Sequence, residues 1–365
     1  MDSFAFIIHP IDPKRDVTRK YPLLGKWLPV NAIHFVSRFW PPLYLSHITG
    51  ARSAATGKEI EGWLIAVPYT APRMLQLSPQ EVYRKIIAAG RMAEELGAQV
   101  LGLGAYTAVV GDGGRTIAQE LDIAVTTGDS YTAAVAVQAL HLAAARMGIA
   151  LQQTTVAVVG ATGAVGGVVA QKLAREAGRI LLVGRRRARL AEVGAQVQAC
   201  AQGEVALSLD ITDIREAGVV VTVTSAGGNL VRPEHLRRGA VVCDVSRPRD
   251  VSWQVAQARK DVLVFDGGLV RVPGAVDFGF NYGPPPDMTF GCVAETMALT
   301  FEGRFENYTL GKDLSLEKVE AIEALAAKHG FKLAALRSFE RQLDDAMIDK
   351  IKLQARRSND NIITK

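Results

Sequence analysis

Three evenly spaced glycines near the middle of the chain could hold a phosphate group. Residues 155–166 read TVAVVGATGAVG, a Val-rich run that predicts a buried strand, and a helical pattern follows over residues 168–174. In such an arrangement Gly160 would make the tight turn, Gly163 would admit a pyrophosphate and Gly166 would let the helix pack closely. A glycine-rich turn that binds nothing is the alternative. The other residues predicted to line this phosphate loop are Ala161, Thr162, Ala164 and Val165.

The next predicted strand, residues 179–184, ends in the cationic cluster Arg185, Arg186 and Arg187. An NAD site places an acidic residue at this position to hold the ribose 2′-hydroxyl, whereas cationic side chains suit a 2′-phosphate. The sequence therefore predicts NADPH as the cofactor, with Arg185 and Arg186 on the phosphate. A solvated basic loop is the alternative. Thr224 and Ser225 end the fourth predicted strand and are expected to lie along the cofactor, although a plain Gly-rich turn would look the same.

Cys292 is the residue most suited to covalent chemistry, because it stands at the predicted start of a helix just after a proline-rich loop. A helix N-terminus stabilises a thiolate, so the pKa of this thiol is expected to be lowered. A buried structural cysteine is the alternative. Cys243 falls in a predicted buried strand and Cys200 in a loop. The three cysteines have no metal-ligand spacing, so no metal site is predicted, and their odd count favours a reducing cytoplasm over a disulfide framework.

Regular alternation of strands and helices predicts an α/β fold with a doubly wound parallel sheet of the Rossmann type. The sheet would be preceded by an N-terminal α/β substrate domain and followed by C-terminal helices. The predicted domains are residues 1–132, 133–291 and 292–365, the last beginning at the candidate cysteine. The six predicted strands are residues 155–159, 179–184, 205–209, 219–225, 240–245 and 262–266. Helices are predicted over residues 79–96, 313–328 and 337–356.

The chain has 365 residues and a formal charge of +5, which favours acidic partners without specifically indicating nucleic acid. No stretch approaches the ~20 apolar residues of a membrane span, and the N-terminus does not resemble a signal peptide. Residues 21–44 are rich in aromatic residues and proline. They are interpreted as a loop and short helix packed on the domain, or alternatively as an exposed surface for lipid or a carrier protein.

Several motifs resemble the long-chain fatty acyl-(acyl-carrier-protein) reductases, which form aldehydes. The most specific are residues 292–295, CVAE, and residues 156–163 of the glycine loop; others include residues 102–107, GLGAYT, and 126–128, TTG. Residues 21–44 and the tail beyond Phe339 fall outside the resemblance. In that family the cysteine matching Cys292 carries the acyl group as a thioester and the reductant is NADPH. The resemblance implies an acyl carrier protein or acyl-CoA as donor, and an aldehyde-consuming enzyme as a further partner.

The resulting hypothesis is reduction of a fatty acyl thioester through a cysteine acyl-enzyme. Candidate oxyanion donors are the backbone amides around Cys292 and the side chains of Tyr106 and Thr107. Glu295 is interpreted as structural or orienting, because a carboxylate beside the thiol would raise its pKa. Two other hypotheses remain open, namely a shikimate-dehydrogenase-like enzyme acting on a small hydroxy or keto acid, and a protein that senses NADP(H) without turnover.

Overall fold

The computed structural model describes residues 1–10, 12–225, 228–246, 249–312 and 314–360. Ala226 and Gly227, which belong to the predicted loop after the fourth strand of the cofactor domain, lie outside the described residues. The strands are β1 Asp2–Ile8, β2 Leu43–Arg52, β3 Glu59–Ala66, β4 Val100–Leu103, β5 Ala124–Thr126, β6 Thr155–Val159, β7 Arg179–Val183, β8 Glu204–Ser208, β9 Val219–Thr222, β10 Val241–Asp244, β11 Leu263–Asp266, β12 Leu269–Arg271, β13 Gly274–Asp277, β14 Met288–Phe290, β15 Lys332–Leu333, β16 Arg337–Ser338 and β17 Arg341–Gln342.

The α-helices are concentrated between the strands, as expected of an α/β protein. Their bounds are α1 Pro13–Lys20, α2 Pro22–Trp27, α3 Val30–Ser37, α4 Ala71–Gln76, α5 Pro79–Glu95, α6 Tyr106–Val109, α7 Arg115–Gln119, α8 Asp129–Met147, α9 Ala164–Ala174, α10 Arg187–Gln198, α11 Trp253–Ala258, α12 Gly291–Glu302, α13 Leu316–His329 and α14 Asp345–Asp360.

The chain divides into two compact units. The first comprises Met1–Tyr131, Val270–Asp313 and Glu320–Lys332, and the second comprises Thr132–Leu269, Leu314–Val319 and Leu333–Lys365. The first boundary falls beside the predicted one at residue 132. Cys292 and the helix that it begins belong to the first unit, however, rather than to a separate C-terminal region. Helix α8 starts in the first unit and continues into the second.

The second unit contains a parallel sheet of six strands in the order β11-β10-β9-β6-β7-β8. Numbered from β6, this is the 3-2-1-4-5-6 order of a doubly wound dinucleotide-binding sheet, in which the strand order reverses between β6 and β9. The Rossmann-type prediction is therefore confirmed. Val is the commonest residue of these strands and is buried in all of them except β8, because helices cover both faces of such a sheet.

The first unit contains a six-stranded mixed sheet in the order β13-β2-β3-β1-β4-β5. Strands β3, β1, β4 and β5 run parallel, whereas β2 and β13 add antiparallel strands at one edge. The buried strands β1 and β4 pack with α5, which begins as predicted: Ser78 caps the helix by accepting a hydrogen bond from the backbone N–H of Glu81, and Pro79 is the first residue.

The predicted helix over residues 337–356 is wrong at its start. Residues 337–342 form the β16–β17 hairpin, and the helix α14 begins at Asp345. Phe339 and Glu340 turn the hairpin with positive φ angles of 48° and 70°. The ring of Phe339 lies 5.1 Å from that of Trp253 and beneath the guanidinium of Arg249. These tertiary contacts override the helical pattern of the sequence.

Candidate active site

The phosphate loop between β6 and α9 has the backbone that its glycines predict. Gly160 has a φ of +89°, a conformation that side chains disfavour. A methyl group on Gly166 would lie 2.2 Å from the carbonyl oxygen of Gly160, so glycine is required where the helix passes the turn. At Gly163 the nearest atom to an added methyl group would be 3.3 Å away. Gly160 and Gly166 therefore shape the loop, whereas Gly163 leaves its outer side open.

The open side of the loop fits a phosphate group. Gly163 is exposed, and it precedes α9 without any side-chain cap, so no side chain occupies the first amides of this helix. Thr162 lies close to the end of β7, since a methyl group on Gly184 would be 2.9 Å from Thr162 Cγ2. Arg185 and Arg186 follow Gly184 and are both exposed. The arrangement can place a pyrophosphate on the helix N-terminus and a further phosphate beside the arginines.

Thr224 lies against the phosphate loop and is held there by Asp250 and Ser246. A methyl group on Gly160 would be 3.0 Å from Thr224 Cγ2. The hydroxyl of Thr224 donates to Asp250 Oδ1 at 2.7 Å, and its backbone N–H donates to Ser246 Oγ at 2.9 Å. Asp244 accepts hydrogen bonds from Thr222 and from the backbone of Ser246 and Val251. Ser225 is exposed at the same strand end.

Cys292 occupies the second position of α12, immediately after β14. It is half-buried, and the chain turn that precedes α8 packs directly on it. A methyl group on Gly128 would lie 2.3 Å from both Cα and Cβ of Cys292, and Gly128 has a φ of +73°. Only glycine allows this close approach, which brings the turn of residues 126–129 to the thiol.

The pKa of Cys292 is raised to about 12, contrary to the prediction of a lowered value. Burial of the thiol is the main cause, and the neighbouring charge of Asp129 is the next. Hydrogen bonds from the backbone amides of Val293 and Cys292 act in the opposite direction, as expected at a helix N-terminus. The helix effect is therefore present, but burial and nearby acids exceed it. The thiol is protonated at neutral pH and needs a base to become a nucleophile.

Asp129 is the functional candidate that the sequence interpretation missed. Burial, followed by the charge of Glu295, raises the pKa of Asp129 to about 7, although the neighbouring Thr127 hydroxyl opposes the shift. A carboxyl group with a pKa near neutrality can both accept and donate a proton during turnover. The sequence offered one indication of this role, namely an acidic residue directly after the Thr-Thr-Gly motif of residues 126–128. Nothing in the sequence pattern, however, brings this turn to residue 292.

Glu295 is held by hydrogen bonds in a fully buried position. One carboxylate oxygen accepts from the hydroxyls of Thr126 at 2.5 Å and Thr309 at 2.8 Å, and the other accepts from the backbone N–H of Tyr131 at 2.8 Å. These contacts fix the turn that carries Gly128 and Asp129. Glu295 therefore has the structural and orienting role that its position suggested.

Two other side chains bear on the candidate site. Thr107 is buried and its hydroxyl donates to the carbonyl oxygen of Gly104 at 2.8 Å, so its proton is not available to an oxyanion. The backbone N–H of Tyr106 donates to His9 Nε2 at 3.1 Å. Tyr282, which sequence reasoning did not select, shares a 2.6 Å hydrogen bond with Thr289. Burial raises the pKa of Tyr282, and the electrostatic influence of Cys292 adds to that shift.

The predicted site residues thus form two groups. The loop residues Gly160 to Gly166, Arg185, Arg186, Thr224 and Ser225 all lie around the C-terminal ends of β6, β7 and β9 in the second unit. Cys292 belongs to the first unit, with Gly128, Asp129 and Glu295 around it.

Comparisons with known proteins bear on both groups. The family model for Shikimate / quinate 5-dehydrogenase matches residues 141–266, which cover the phosphate loop and the parallel sheet of the second unit. The long-chain acyl-(acyl-carrier-protein) reductase of Synechococcus elongatus is 30% identical over 316 residues, which cover 82% of this chain and 90% of that protein. The chain belongs to the long-chain acyl-(acyl-carrier-protein) reductase family.

Two further comparisons match a longer protein and a solved structure of low sequence identity. The aminotransferase PigE of Serratia sp. is 31% identical over 307 residues, which cover 82% of this chain but only 35% of PigE. The chain thus spans about a third of the length of that curated relative. The solved structure of L-tryptophan dehydrogenase from Nostoc punctiforme matches 97% of this chain and 88% of its own at 13% identity, with a TM-score of 0.41.

This member of the acyl-(acyl-carrier-protein) reductase family is an enzyme, an oxidoreductase that uses NADP(H). The residues of the second unit fit the cofactor, because the uncapped N-terminus of α9 suits a pyrophosphate and the exposed arginines suit a 2′-phosphate. Among the described residues, none of the helices combines the length and apolar character needed to cross a bilayer.

Proposed function

We propose that the enzyme reduces a long-chain fatty acyl thioester to the aldehyde through an acyl-enzyme on Cys292. The observation that carries the proposal is the pairing of a half-buried cysteine at a helix N-terminus with an acid whose pKa is raised to about 7. A nucleophile with an adjacent base is the usual arrangement for covalent acyl transfer. Family membership supports the reduction of an acyl thioester, since the Synechococcus relative is named a long-chain acyl-(acyl-carrier-protein) reductase.

Asp129 supplies the base that Cys292 needs. With the pKa of the thiol raised to about 12, almost none of it is ionised at neutral pH, whereas much of Asp129 is. Asp129 accepts the thiol proton as sulfur attacks the acyl carbonyl. The bond between the acyl carbon and the carrier sulfur then breaks, and the protonated Asp129 donates its proton to the departing thiolate. The backbone amides of Cys292 and Val293 face the forming charge at the helix start.

The second half of the reaction releases the aldehyde and restores the thiol. NADPH, when bound, would supply the hydride for reduction of the acyl carbonyl. Collapse of the resulting hemithioacetal anion breaks the carbon–sulfur bond to Cys292, and Asp129 returns a solvent proton to the sulfur. Residues Gly160 to Gly166, Thr224 and Ser225 would hold the dinucleotide, with Arg185 and Arg186 on its 2′-phosphate.

The acyl donor is proposed to be an acyl carrier protein or acyl-CoA. Both are acidic, and the chain carries a formal charge of +5. A long-chain aldehyde is reactive and poorly soluble in water, so an aldehyde-consuming enzyme is the expected further partner. The competing hypothesis of a small hydroxy-acid dehydrogenase rests on the match of residues 141–266, which does not include Cys292.

Intact-mass measurement tests the proposal directly. The purified protein is incubated with palmitoyl thioester, first without and then with NADPH. The expected result is a mass gain of one palmitoyl group without cofactor, followed by loss of the adduct and release of aldehyde when NADPH is added. Absence of both adduct and aldehyde contradicts the proposal and favours the dehydrogenase or the NADP(H)-sensing alternative.

Replacement of one cysteine at a time by serine identifies the nucleophile. Cys292→Ser replaces the thiol by a hydroxyl that stays protonated at neutral pH, so adduct and aldehyde should disappear while NADPH binding is kept. Cys200→Ser and Cys243→Ser are the matched controls, since these cysteines belong to the second unit and Cys292 to the first. Turnover in Cys292→Ser above about a tenth of wild type, a barrier change under ~1.4 kcal/mol, rules out the covalent mechanism.

A further inference from the structure

The N-terminal segment of residues 17–44 differs in composition from the rest of the chain. Its 28 residues include six aromatic residues and four Lys or Arg, but no Asp or Glu. In the whole chain acidic and basic residues are nearly balanced, at 37 and 42. The segment therefore combines apolar and cationic character without the acidic groups that would give it a mixed, solvated surface.

The structure exposes the largest apolar side chains of this segment. Leu23 and Trp27 on α2 are 75% and 77% exposed, and Phe35 and Phe39 are 68% and 70% exposed. Each pair is four residues apart, and the rings of Phe35 and Phe39 touch with their centroids 5.6 Å apart. Side chains of this size are usually buried, and clusters of them on a surface mark an interaction site.

The segment is fixed to the first unit rather than loose. The rings of Tyr21 and Trp40 contact each other at a tilt, with centroids 5.5 Å apart, which brings the start of α2 beside the residues that follow Phe39. Lys85 on α5 donates to the backbone carbonyls of Arg38 and Trp40 at 3.2 and 2.6 Å. Both exposed apolar pairs therefore lie on one segment that is held to the first unit. We name residues 21–39 the docking surface.

We propose that this docking surface binds the surface of an anionic lipid bilayer. Leu23, Trp27, Phe35 and Phe39 enter the interface between headgroups and acyl chains, where Trp in particular is favoured. Lys26 on α2 is exposed and contacts anionic headgroups, whereas Arg38 at the end of α3 is exposed but lies 3.6 Å from Glu81 Oε1, which offsets part of its charge. The helices α2 and α3 have six and eight residues, so they lie on the bilayer rather than cross it.

A lipid surface fits these side chains better than an acidic carrier protein does. Apolar side chains that project this far need matching pockets on a protein partner, whereas a bilayer accepts them without shape complementarity. The proposal goes beyond the proposed enzymatic activity and stands without it, because it rests only on the exposure and charge of residues 21–39.

Vesicle sedimentation tests the docking surface. Wild type should sediment with vesicles of phosphatidylcholine mixed with phosphatidylglycerol, more weakly with phosphatidylcholine alone, and less as salt is raised. The double variant Trp27→Ser/Phe35→Ser should lose about tenfold or more in affinity for the mixed vesicles. The control is Phe305→Ser/Leu207→Ser, which removes two apolar side chains that are 40% and 47% exposed elsewhere and should bind as wild type does.

Other outcomes overturn the proposal. Failure of wild type to bind either vesicle does so directly. A Trp27→Ser/Phe35→Ser variant that keeps vesicle binding but loses binding to a soluble acidic carrier protein assigns the surface to a protein partner. A wild-type dimer in light scattering that this variant converts to monomer assigns it to a second copy of the chain. Equal thermal midpoints and equal turnover of a water-soluble thioester in all variants separate these results from misfolding and from the proposed activity.

Discussion

Two helices of this protein begin shortly after a strand and without a side-chain cap, yet they present opposite electrostatic environments. Helix α9 in the second unit follows a glycine turn, and its N-terminus is open beside exposed arginines. Helix α12 in the first unit carries Cys292 at its second position, and its N-terminus is buried beside Asp129 and Glu295. The backbone dipole is the same in both cases.

The comparison shows that a helix N-terminus does not by itself decide which charge it stabilises. At α9 the N-terminus has no side-chain cap and exposed arginines follow the neighbouring strand, so an anion is favoured. At α12 the dipole acts on a thiol that is desolvated and faces a carboxylate, and the pKa of Cys292 is raised to about 12 in spite of it. Under the proposed function, the first site binds a permanent charge, whereas the second creates one only while a base removes a proton.

The largest effect that could break this comparison is expected at Asp129. Asp129→Asn keeps the size of the side chain but cannot accept a proton, so acyl transfer to Cys292 should slow by about 100-fold or more. In wild type the rate should rise with pH through about 7, as the carboxylate forms, and the variant should lose this inflection. The measurement is the rate of adduct formation, followed by intact mass at pH values from roughly 5 to 9, a range that includes the expected inflection.

A second measurement on the same variant separates a proton-transfer role from a purely electrostatic one. Removal of the Asp129 charge lowers the pKa of Cys292, so alkylation of this thiol should begin at lower pH while acyl transfer falls. Asp122→Asn, an exposed acid of the same unit, is the control. Acyl transfer that is unchanged or faster in Asp129→Asn would mean that Asp129 acts only through its charge.

A smaller effect is expected at the arginines beside α9. Arg185→Asp combined with Arg186→Ala should weaken NADPH binding about 10- to 100-fold and NADH binding far less, because a charge-assisted contact to phosphate contributes about 1.5 to 3 kcal/mol. Fluorescence titration with both cofactors measures the ratio, and Lys260→Ala serves as a control for loss of an exposed cation in the same unit. Equal losses for the two cofactors would place the 2′-phosphate elsewhere.

The smallest effect is expected at Glu295, where the role is structural. Glu295→Gln places an amide where Thr126, Thr309 and the backbone of Tyr131 all donate hydrogen bonds, which should cost about 1 to 3 kcal/mol of unfolding free energy. Urea unfolding measures this, with the exposed Glu120→Gln as reference. A variant as stable as wild type but inactive would instead give Glu295 a direct part in the reaction.

The fold of the second unit follows closely from local sequence patterns. All six strands from β6 to β11 were predicted within a few residues, and Gly160, Gly163 and Gly166 were assigned to the loop that they form. This was possible because each strand of a parallel sheet is a short apolar run, and the residues that directly follow the strand indicate the turn. The hairpin of residues 337–342 was missed because contacts with Trp253 and Arg249, far away in the sequence, decide its conformation.

The residues that surround the thiol of Cys292, by contrast, are brought together by tertiary contacts. The sequence identified Cys292 and the start of its helix, and from these it predicted a lowered pKa. It could not show that Gly128 packs on Cys292, or that Asp129 follows it into the site, because more than 160 residues separate the two segments. The pKa of a buried group depends on desolvation and on charges within a few ångströms, and both are set by the packing of distant segments rather than by local pattern.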